Sequence, residues 1–114
     1  MVKVNSSVKK SILKTIKYLQ KQISITEVIL FGSYALGTPH KHSDIDIAVV
    51  SPDFENKDLS FKADIFSRAK IHCSIDVDIH PFTDTSRKNA RPTNFMGHIL
   101  KTGTVIFKND VFLL

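Results

Sequence analysis

Residues 31–50 read F-G-S-Y-A-L-G-T-P-H-K-H-S-D-I-D-I-A-V-V, a segment that joins a glycine-serine pair to an aspartate pair. The β-branched and large apolar side chains of residues 25–31 predict a buried strand that ends at Gly32 and Ser33. Ten residues then separate Ser33 from Asp44, and residues 44–50 alternate as a second strand. One predicted strand therefore ends on Gly-Ser, and the next begins with Asp-x-Asp.

Hydrophobic periodicity predicts helices around these strands. In residues 6–22 apolar side chains recur at steps of three or four, and Ser6 or Ser7 can cap the start of this helix. A helical turn over 34–37 and a loop over 38–43 are predicted next, followed after the second strand by a helix over 57–71 with Leu59 on its packed side. A strand over 74–80, stopped by Pro81, and a mobile polar loop over 83–91 come after it. The last predicted elements are a helix capped by Thr93 or Asn94, which runs to Lys101 and ends at Gly103, and a strand over 104–107. This order predicts an α+β fold, a small mixed sheet with helices packed on it.

Length, charge and cysteine content restrict the class of protein. The chain has 114 residues, which predicts one domain over 1–114. Its net charge of +5 suits an anionic partner such as a nucleotide, RNA or an acidic protein face. The single cysteine, Cys73, excludes a disulfide framework within the chain and fits a reducing cytoplasm. No apolar run approaches the ~20 residues that span a membrane, so no membrane partner is expected.

The aspartate pair is a candidate metal site. Asp44 and Asp46 stand at i and i+2 of a strand, so they face one way with Cα atoms about 6.5–7 Å apart. Two carboxylates this close repel each other unless a cation lies between them. Mg²⁺ prefers hard oxygen ligands and commonly takes carboxylates together with substrate phosphates. The pair therefore predicts a magnesium site.

The glycine-serine pair is a candidate phosphate site. Gly32 allows the backbone to approach a ligand closely, and the hydroxyl of Ser33 can donate to a phosphate oxygen. Backbone amides at the start of a following helical turn also favour anions. A phosphate cradle beside a magnesium site indicates a nucleoside triphosphate bound with Mg²⁺.

A third carboxylate is available on the strand over residues 74–80, where Asp76, Asp78 and His80 share one face. If this strand lies beside residues 44–50, one of these aspartates joins the site. Paired metal ions hold the attacking and leaving oxygens of an in-line displacement, and an extra carboxylate can accept the proton of the nucleophile. Strand alternation alone does not distinguish Asp76 from Asp78.

The spacing G-S-x(10)-D-x-D resembles the signature of the DNA polymerase β-like nucleotidyltransferases, and most closely the minimal nucleotidyltransferases (MNT) of bacteria and archaea. The resemblance covers roughly residues 6–107. It implies a small mixed sheet flanked by helices, two bound Mg²⁺ ions, and transfer of a nucleoside monophosphate with release of pyrophosphate. The transferred group is commonly AMP, with ATP as the substrate.

The same resemblance assigns roles to individual residues. It implies that Gly32 and Ser33 bind the triphosphate, and that Asp44 and Asp46 bind the metal ions. The run V-D-I-H-P-F, which begins at residue 77, is similar to the third motif of the family. That similarity favours Asp78 as metal ligand and base, with Asp76 as the second choice.

The resemblance also implies a partner. Many family members are encoded beside a helical HEPN protein, act as the antitoxin of the pair, and in some cases transfer AMP onto it. Because the extra domain that usually holds the acceptor is missing, a HEPN-type protein partner or a homo-oligomer is expected. The alternatives are an antitoxin that binds without catalysis, a transferase that acts on a small molecule, and a transferase that acts on RNA, which the positive charge permits.

The polar face of the first predicted helix is lysine-rich, with Lys9, Lys10, Lys14, Lys17 and Lys21. Such a face is ordinarily a solvated one, and a partner-binding face is the alternative interpretation.

Overall fold

The computed structural model describes residues 5–37, 44–74 and 76–114. In chain order its elements are α1 (Ser6–Gln20), β1 (Glu27–Phe31), α2 (Ser33–Leu36), β2 (Ile45–Val50), a 3₁₀ turn (Pro52–Phe54), α3 (Leu59–His72), β3 (Val77–Phe82), α4 (Asp84–Lys88), α5 (Phe95–Thr102), β4 (Thr104–Lys108) and β5 (Val111–Phe112). The loop predicted over 38–43 lies outside the described residues.

The five strands form one mixed sheet in the order β3-β2-β1-β4-β5. β2 and β3 are parallel, and the remaining neighbours are antiparallel. The connection between β2 and β3 runs through α3, as a parallel crossover requires. The α+β fold expected from the sequence is confirmed.

Strand alternation gives the sheet two different faces. On one face, apolar side chains of β1, β2 and β3 pack against α1 and α3, with Ile12, Ile16 and Leu19 of α1 almost fully buried. On the other face, Ile29, Phe31 and Ala48 pack against Met96 and Ile99 of α5. Asp46 lies between Ile45 and Ile47 of the first face, so its side chain points to the α5 face.

Three details of the helices differ from the sequence-based expectations. The N-cap of α1 is Asn5, whose Oδ1 accepts from the Val8 amide at 2.8 Å, rather than Ser6 or Ser7. Leu59 is 80% exposed, because α3 begins there and packs through Ile65 and Ala69 instead. The predicted mobile loop over 83–91 is wrong in part, since it contains α4, which Thr83 caps by accepting from the Ser86 amide.

The strands differ in two places. β3 continues through Pro81 to Phe82, although the proline was expected to end it. The Ile45 amide donates to the Asp76 carbonyl and the Ser51 amide donates to the Phe82 carbonyl. The backbone N–H and C=O groups of the even-numbered residues of β3 therefore point toward β2, and those of the odd-numbered residues point away from it. Pro81 therefore occupies the outer side of an edge strand, where no amide hydrogen is needed.

The second difference is β5, which the sequence reading did not include. It pairs with β4 through a two-residue turn at Asn109 and Asp110, both with positive φ, at 52° and 64°. These are the backbone values of the tight turn that best fits the twist of a hairpin.

The caps of α5 provide a test of the fold. Asn94 Oδ1 accepts from the Gly97 amide at 2.9 Å and from the Arg91 amide at 3.1 Å, whereas Thr93 makes neither bond. We expect Asn94→Ala to lower the free energy of unfolding by about 1–2 kcal/mol, since both amides lose an acceptor. Thr93→Ala is the matched control and should stay within about 0.5 kcal/mol. Urea unfolding of both variants measures the difference, and equal losses would contradict the assignment of Asn94 as the cap.

Candidate active site

The edge of the sheet where β1 ends and β2 and β3 begin brings the predicted residues together. Phe31, the last residue of β1, pairs with Asp46 of β2, and Asp46 pairs in turn with Asp78 of β3. Because β2 and β3 are parallel, paired residues point to the same face of the sheet. The two carboxylates are therefore neighbours on the α5 face, one strand apart.

Gly32 lies directly against Asp46. Its φ of 76° and ψ of −156° are values that only glycine adopts without strain. A Cβ atom at this position would stand 2.6 Å from Oδ2 of Asp46. The absence of a side chain at Gly32 is thus what leaves the carboxylate of Asp46 accessible from the β1 side.

Ser33 begins the short helix α2, immediately after this glycine. The Gly32 carbonyl accepts from the amides of Ala35 and Leu36, which fixes the start of the turn. Ser33 is half-buried and follows a residue that touches Asp46. The glycine-serine pair and the metal-candidate aspartate are therefore brought together, as the sequence predicted.

Two nitrogen-bearing side chains, those of His80 and Lys70, contact the paired aspartates. His80 Nε2 lies 3.2 Å from Oδ1 of Asp46, two residues along β3 from Asp78. Lys70 Nζ donates to Oδ1 of Asp78 at 2.5 Å from the last turn of α3. His80 was a candidate on strand alternation alone. The role of Lys70 was missed, because its contact depends on how α3 returns to the edge of β3.

Asp44 and Asp76 lie just before the ladder formed by β2 and β3. Both are exposed, and the Ile45 amide donates to the Asp76 carbonyl at 2.8 Å. Asp78 lies opposite Asp46, whereas Asp76 precedes the first paired residues. Tertiary structure thus separates two aspartates that alternation placed on one face.

The donor set at this edge fits Mg²⁺. Asp44, Asp46 and Asp78 supply carboxylate oxygens, the ligand type that Mg²⁺ prefers. Within residues 5–37, 44–74 and 76–114, no three His, Cys, Asp or Glu side chains are already arranged as a complete metal cluster. Asp46 and Asp78 instead contact His80 and Lys70, so the imidazole of His80 and the ammonium group of Lys70 lie next to the carboxylates.

An aromatic floor extends from the aspartates toward α5. The ring of His80 lies 4.9 Å from that of Phe31, and Phe95 lies 5.8 Å from Phe31 and 6.3 Å from His80. Phe95 is 52% exposed, although it is a large apolar residue. Sequence reasoning missed Phe95, because only the packing of α5 on the sheet carries it beside residues far away in the chain.

His72 and Cys73 do not join this edge. His72 stacks on Tyr18 at a centroid distance of 5.7 Å, on the face covered by α1 and α3. Burial raises the pKa of the Cys73 thiol, although Lys14 and Lys21 oppose the shift. His40, Lys41 and His42 lie outside the described residues.

The two positive-φ glycines provide a matched pair of substitutions. Gly32 and Gly37 have φ of 76° and 77°, but a Cβ at Gly37 would meet no atom of the described residues within 4 Å. We expect Gly37→Ala to destabilise by about 1–2 kcal/mol through backbone strain alone. Gly32→Ala should cost more, about 3 kcal/mol, because the new methyl group also collides with Asp46. Denaturant unfolding gives both values, and an equal cost would argue against the close approach of Gly32 to Asp46.

The chain is similar to known proteins over most of its length. The family model described as polymerase beta, nucleotidyltransferase matches residues 13–111. Protein adenylyltransferase MntA of Shewanella oneidensis is 54% identical over 41 residues, which are 35% of this chain and only 30% of that protein. The matched stretch therefore spans less than a third of this relative.

Two solved structures share the fold. A toxin-antitoxin complex crystallised with AMP-PNP superimposes with a TM-score of 0.63 and 26% identity, over 85% of this chain and 73% of the other. A complex of tri-AMPylated Shewanella oneidensis HEPN toxin with MNT antitoxin gives a TM-score of 0.56 and 21% identity, over 87% and 73% of the two chains. Because the family model matches most of the chain, from residue 13 to residue 111, this protein belongs to the polymerase β nucleotidyltransferase family.

Proposed function

We propose that this protein is a Mg²⁺-dependent nucleotidyltransferase that moves AMP from ATP to a hydroxyl group of a HEPN-type protein partner. The observation that carries the proposal is the position of Asp46, which lies between Gly32 on one side and Asp78 on the other. This places a phosphate-candidate loop and a second carboxylate on opposite flanks of one metal-candidate carboxylate. Metal-assisted displacement at phosphorus needs carboxylates that hold the metal ions beside the bound phosphates.

The proposed roles follow the edge of the sheet. Gly32 and Ser33 hold the β- and γ-phosphates, and Asp44 and Asp46 hold two Mg²⁺ ions together with the triphosphate. When bound there, Mg²⁺ neutralises charge on the reacting phosphate and on the leaving pyrophosphate. Asp78 completes the carboxylate set from the β3 side.

In the proposed reaction the acceptor oxygen forms a bond to the α-phosphorus. The bond from the α-phosphorus to the oxygen that bridges to the β-phosphate breaks, and pyrophosphate leaves. The carboxylate of Asp78 takes the hydroxyl proton of the acceptor, as a general base within hydrogen-bond reach does. Lys70 orients Asp78 through their ion pair.

The partner assignment rests on relatives. The similar structures include a complex of HEPN toxin with MNT antitoxin in which the toxin is AMPylated, and a toxin-antitoxin complex with AMP-PNP. No helix among the described residues is long and apolar enough to cross a membrane. The proposal places the reaction in the cytoplasm, where ATP and Mg²⁺ are both available.

The test of this proposal uses ATP labelled at the α-phosphate. The protein is incubated with labelled ATP, Mg²⁺ and lysate of its own source, and the labelled products are separated by size. Label on one protein band that also co-purifies with the chain supports the proposal. Label on RNA or on a small molecule would mean that the acceptor is not a protein. The absence of label on every acceptor would contradict transfer and favour an antitoxin that binds without catalysis.

Asp46→Asn is expected to reduce the rate of transfer at least about 100-fold. Loss of a residue that only contacts a metal ligand costs up to about 100-fold, and loss of a direct ligand should cost no less. The amide keeps the size of the side chain but removes the negative charge that a metal ion needs. Asp64→Asn is the matched control, because Asp64 is exposed on α3 and pairs only with Arg68 among described residues. Initial rates with labelled ATP, together with a circular dichroism spectrum of each variant, decide the matter. A folded Asp46→Asn protein with wild-type activity would contradict the assignment of Asp46 as a metal ligand.

Asp78→Asn and Asp76→Asn test the choice of the third carboxylate. Because Asp78 lies opposite Asp46, its substitution should lower kcat by about 100-fold or more, which begins at the lower end of the range for a general base, while the KM for ATP changes little. Asp76→Asn should keep kcat within about threefold, since Asp76 lies outside the ladder. A large loss of kcat in Asp76→Asn, with kcat retained in Asp78→Asn, would assign the third carboxylate to Asp76 instead.

A further inference from the structure

The positive charge of this chain is concentrated in its first 26 residues. That segment contains six lysines and no acidic residue. The rest of the chain carries ten basic and eleven acidic side chains, which nearly cancel. The net charge of +5 is therefore a property of α1 and its flanks rather than of the whole surface.

Four of these lysines form a line on α1, which we call the lysine stripe: Lys10, Lys14, Lys17 and Lys21. They recur at steps of four, three and four residues, so they share one face of the helix over about 16 Å. All four are exposed. Among the described residues none of them pairs with a carboxylate.

A groove runs beside the stripe, between α1 and the end of α3. It has a volume of about 220 Å³ and is lined by Lys14, Lys17, Tyr18, Lys21, His72 and Cys73. The rings of Tyr18 and His72 are stacked, with an interplanar angle of 25°. The groove thus combines three cationic side chains with two ring systems.

The groove lies on the other side of the sheet from the aspartates. α1 packs on the face formed by Ile45 and Ile47, whereas Asp46 points to the α5 face. A ligand in the groove would therefore not occupy the candidate active site.

The composition of this surface favours nucleic acid over a protein partner. Lysine is depleted at protein–protein interfaces, which are enriched in aromatic residues, methionine and arginine. The large apolar residues exposed among the described positions all lie outside α1: Leu36, Leu59, Ile71, Phe95, Val111 and Leu113. Lysines beside aromatic rings that reach the surface, as the half-buried Tyr18 and the exposed His72 do, are instead typical of surfaces that follow a phosphate backbone and stack unpaired bases.

We propose that the lysine stripe and its groove bind single-stranded nucleic acid. The phosphates follow the four lysines, and one unpaired base packs against the rings of Tyr18 and His72. A double helix would keep its bases away from these rings, so a single strand is the better fit. RNA and single-stranded DNA present the same phosphates and base faces, and the binding experiment distinguishes them.

Fluorescence anisotropy with a labelled 12-nucleotide RNA of mixed sequence, and with the DNA of the same sequence, measures the affinity. If four lysines each neutralise a phosphate, the logarithm of the association constant should fall with the logarithm of salt at a slope of about −3. Binding should then weaken about 50-fold between 50 and 200 mM salt. Tighter binding of one strand type identifies the natural ligand, and no binding of either at 50 mM salt overturns the proposal.

Charge reversal locates the site. The triple variant Lys14→Glu, Lys17→Glu, Lys21→Glu should bind at least about tenfold more weakly than the triple variant Lys88→Glu, Lys101→Glu, Lys108→Glu. The second variant is the matched control, because it changes the net charge equally at exposed lysines outside the stripe. Thermal unfolding verifies that both variants are folded. An equal loss of affinity in both variants would mean that net charge alone drives binding, and would overturn the assignment of the binding site to the lysine stripe.

Competition tests the ligand class. Polyphosphate and polyglutamate matched in charge to the RNA should each compete at least about fivefold less well, since neither offers a base to stack. Equal competition by either would overturn the assignment to nucleic acid. Asp46→Asn should bind the RNA as the wild-type protein does, so failure of the transfer reaction and failure of this site are distinguishable.

Discussion

The in-register parallel pairing of β2 with β3 is the constraint on which the candidate site depends. It places Asp78 opposite Asp46, and the antiparallel pairing of β1 with β2 places Phe31, and hence Gly32, on the other side of Asp46. A slip of one residue between β2 and β3 would turn Asp78 toward the helices α1 and α3. Register is held by the side chains of Ile45, Ile47 and Val77, which are buried in the core beneath α1 and α3.

The two faces of the sheet divide the chemistry of the molecule. One face combines carboxylates with the aromatic floor of Phe31, His80 and Phe95, and is only partly covered by α5. The opposite face is closed by α1 and α3, whose outer surface carries the positive charge. The lysines of α1 and the carboxylate of Asp46 thus lie on opposite sides of the sheet, because α1 packs on one face and strand alternation sends Asp46 to the other.

Local signals predicted the elements whose pattern is complete within a few residues. The apolar spacing of α1, the strand before Gly32 and the cap and end of α5 all followed from such patterns. Errors arose where the tertiary context changes what a residue means. Pro81 ends a strand in most sequences but is tolerated on the outer side of an edge strand, and Leu59 fits an apolar stripe that α3 does not bury.

The sequence by itself determined the family, through the spacing of Gly32-Ser33 and Asp44-x-Asp46, and it determined the alternation that sends Asp46, Asp78 and His80 to one face. The tertiary structure alone decided that Asp78 rather than Asp76 lies opposite Asp46, that Lys70 contacts Asp78, and that Phe95 lies beside His80. The physical reason is that these relations join different elements. Strand register and helix packing fix them, and a local pattern of residue types contains no information about either.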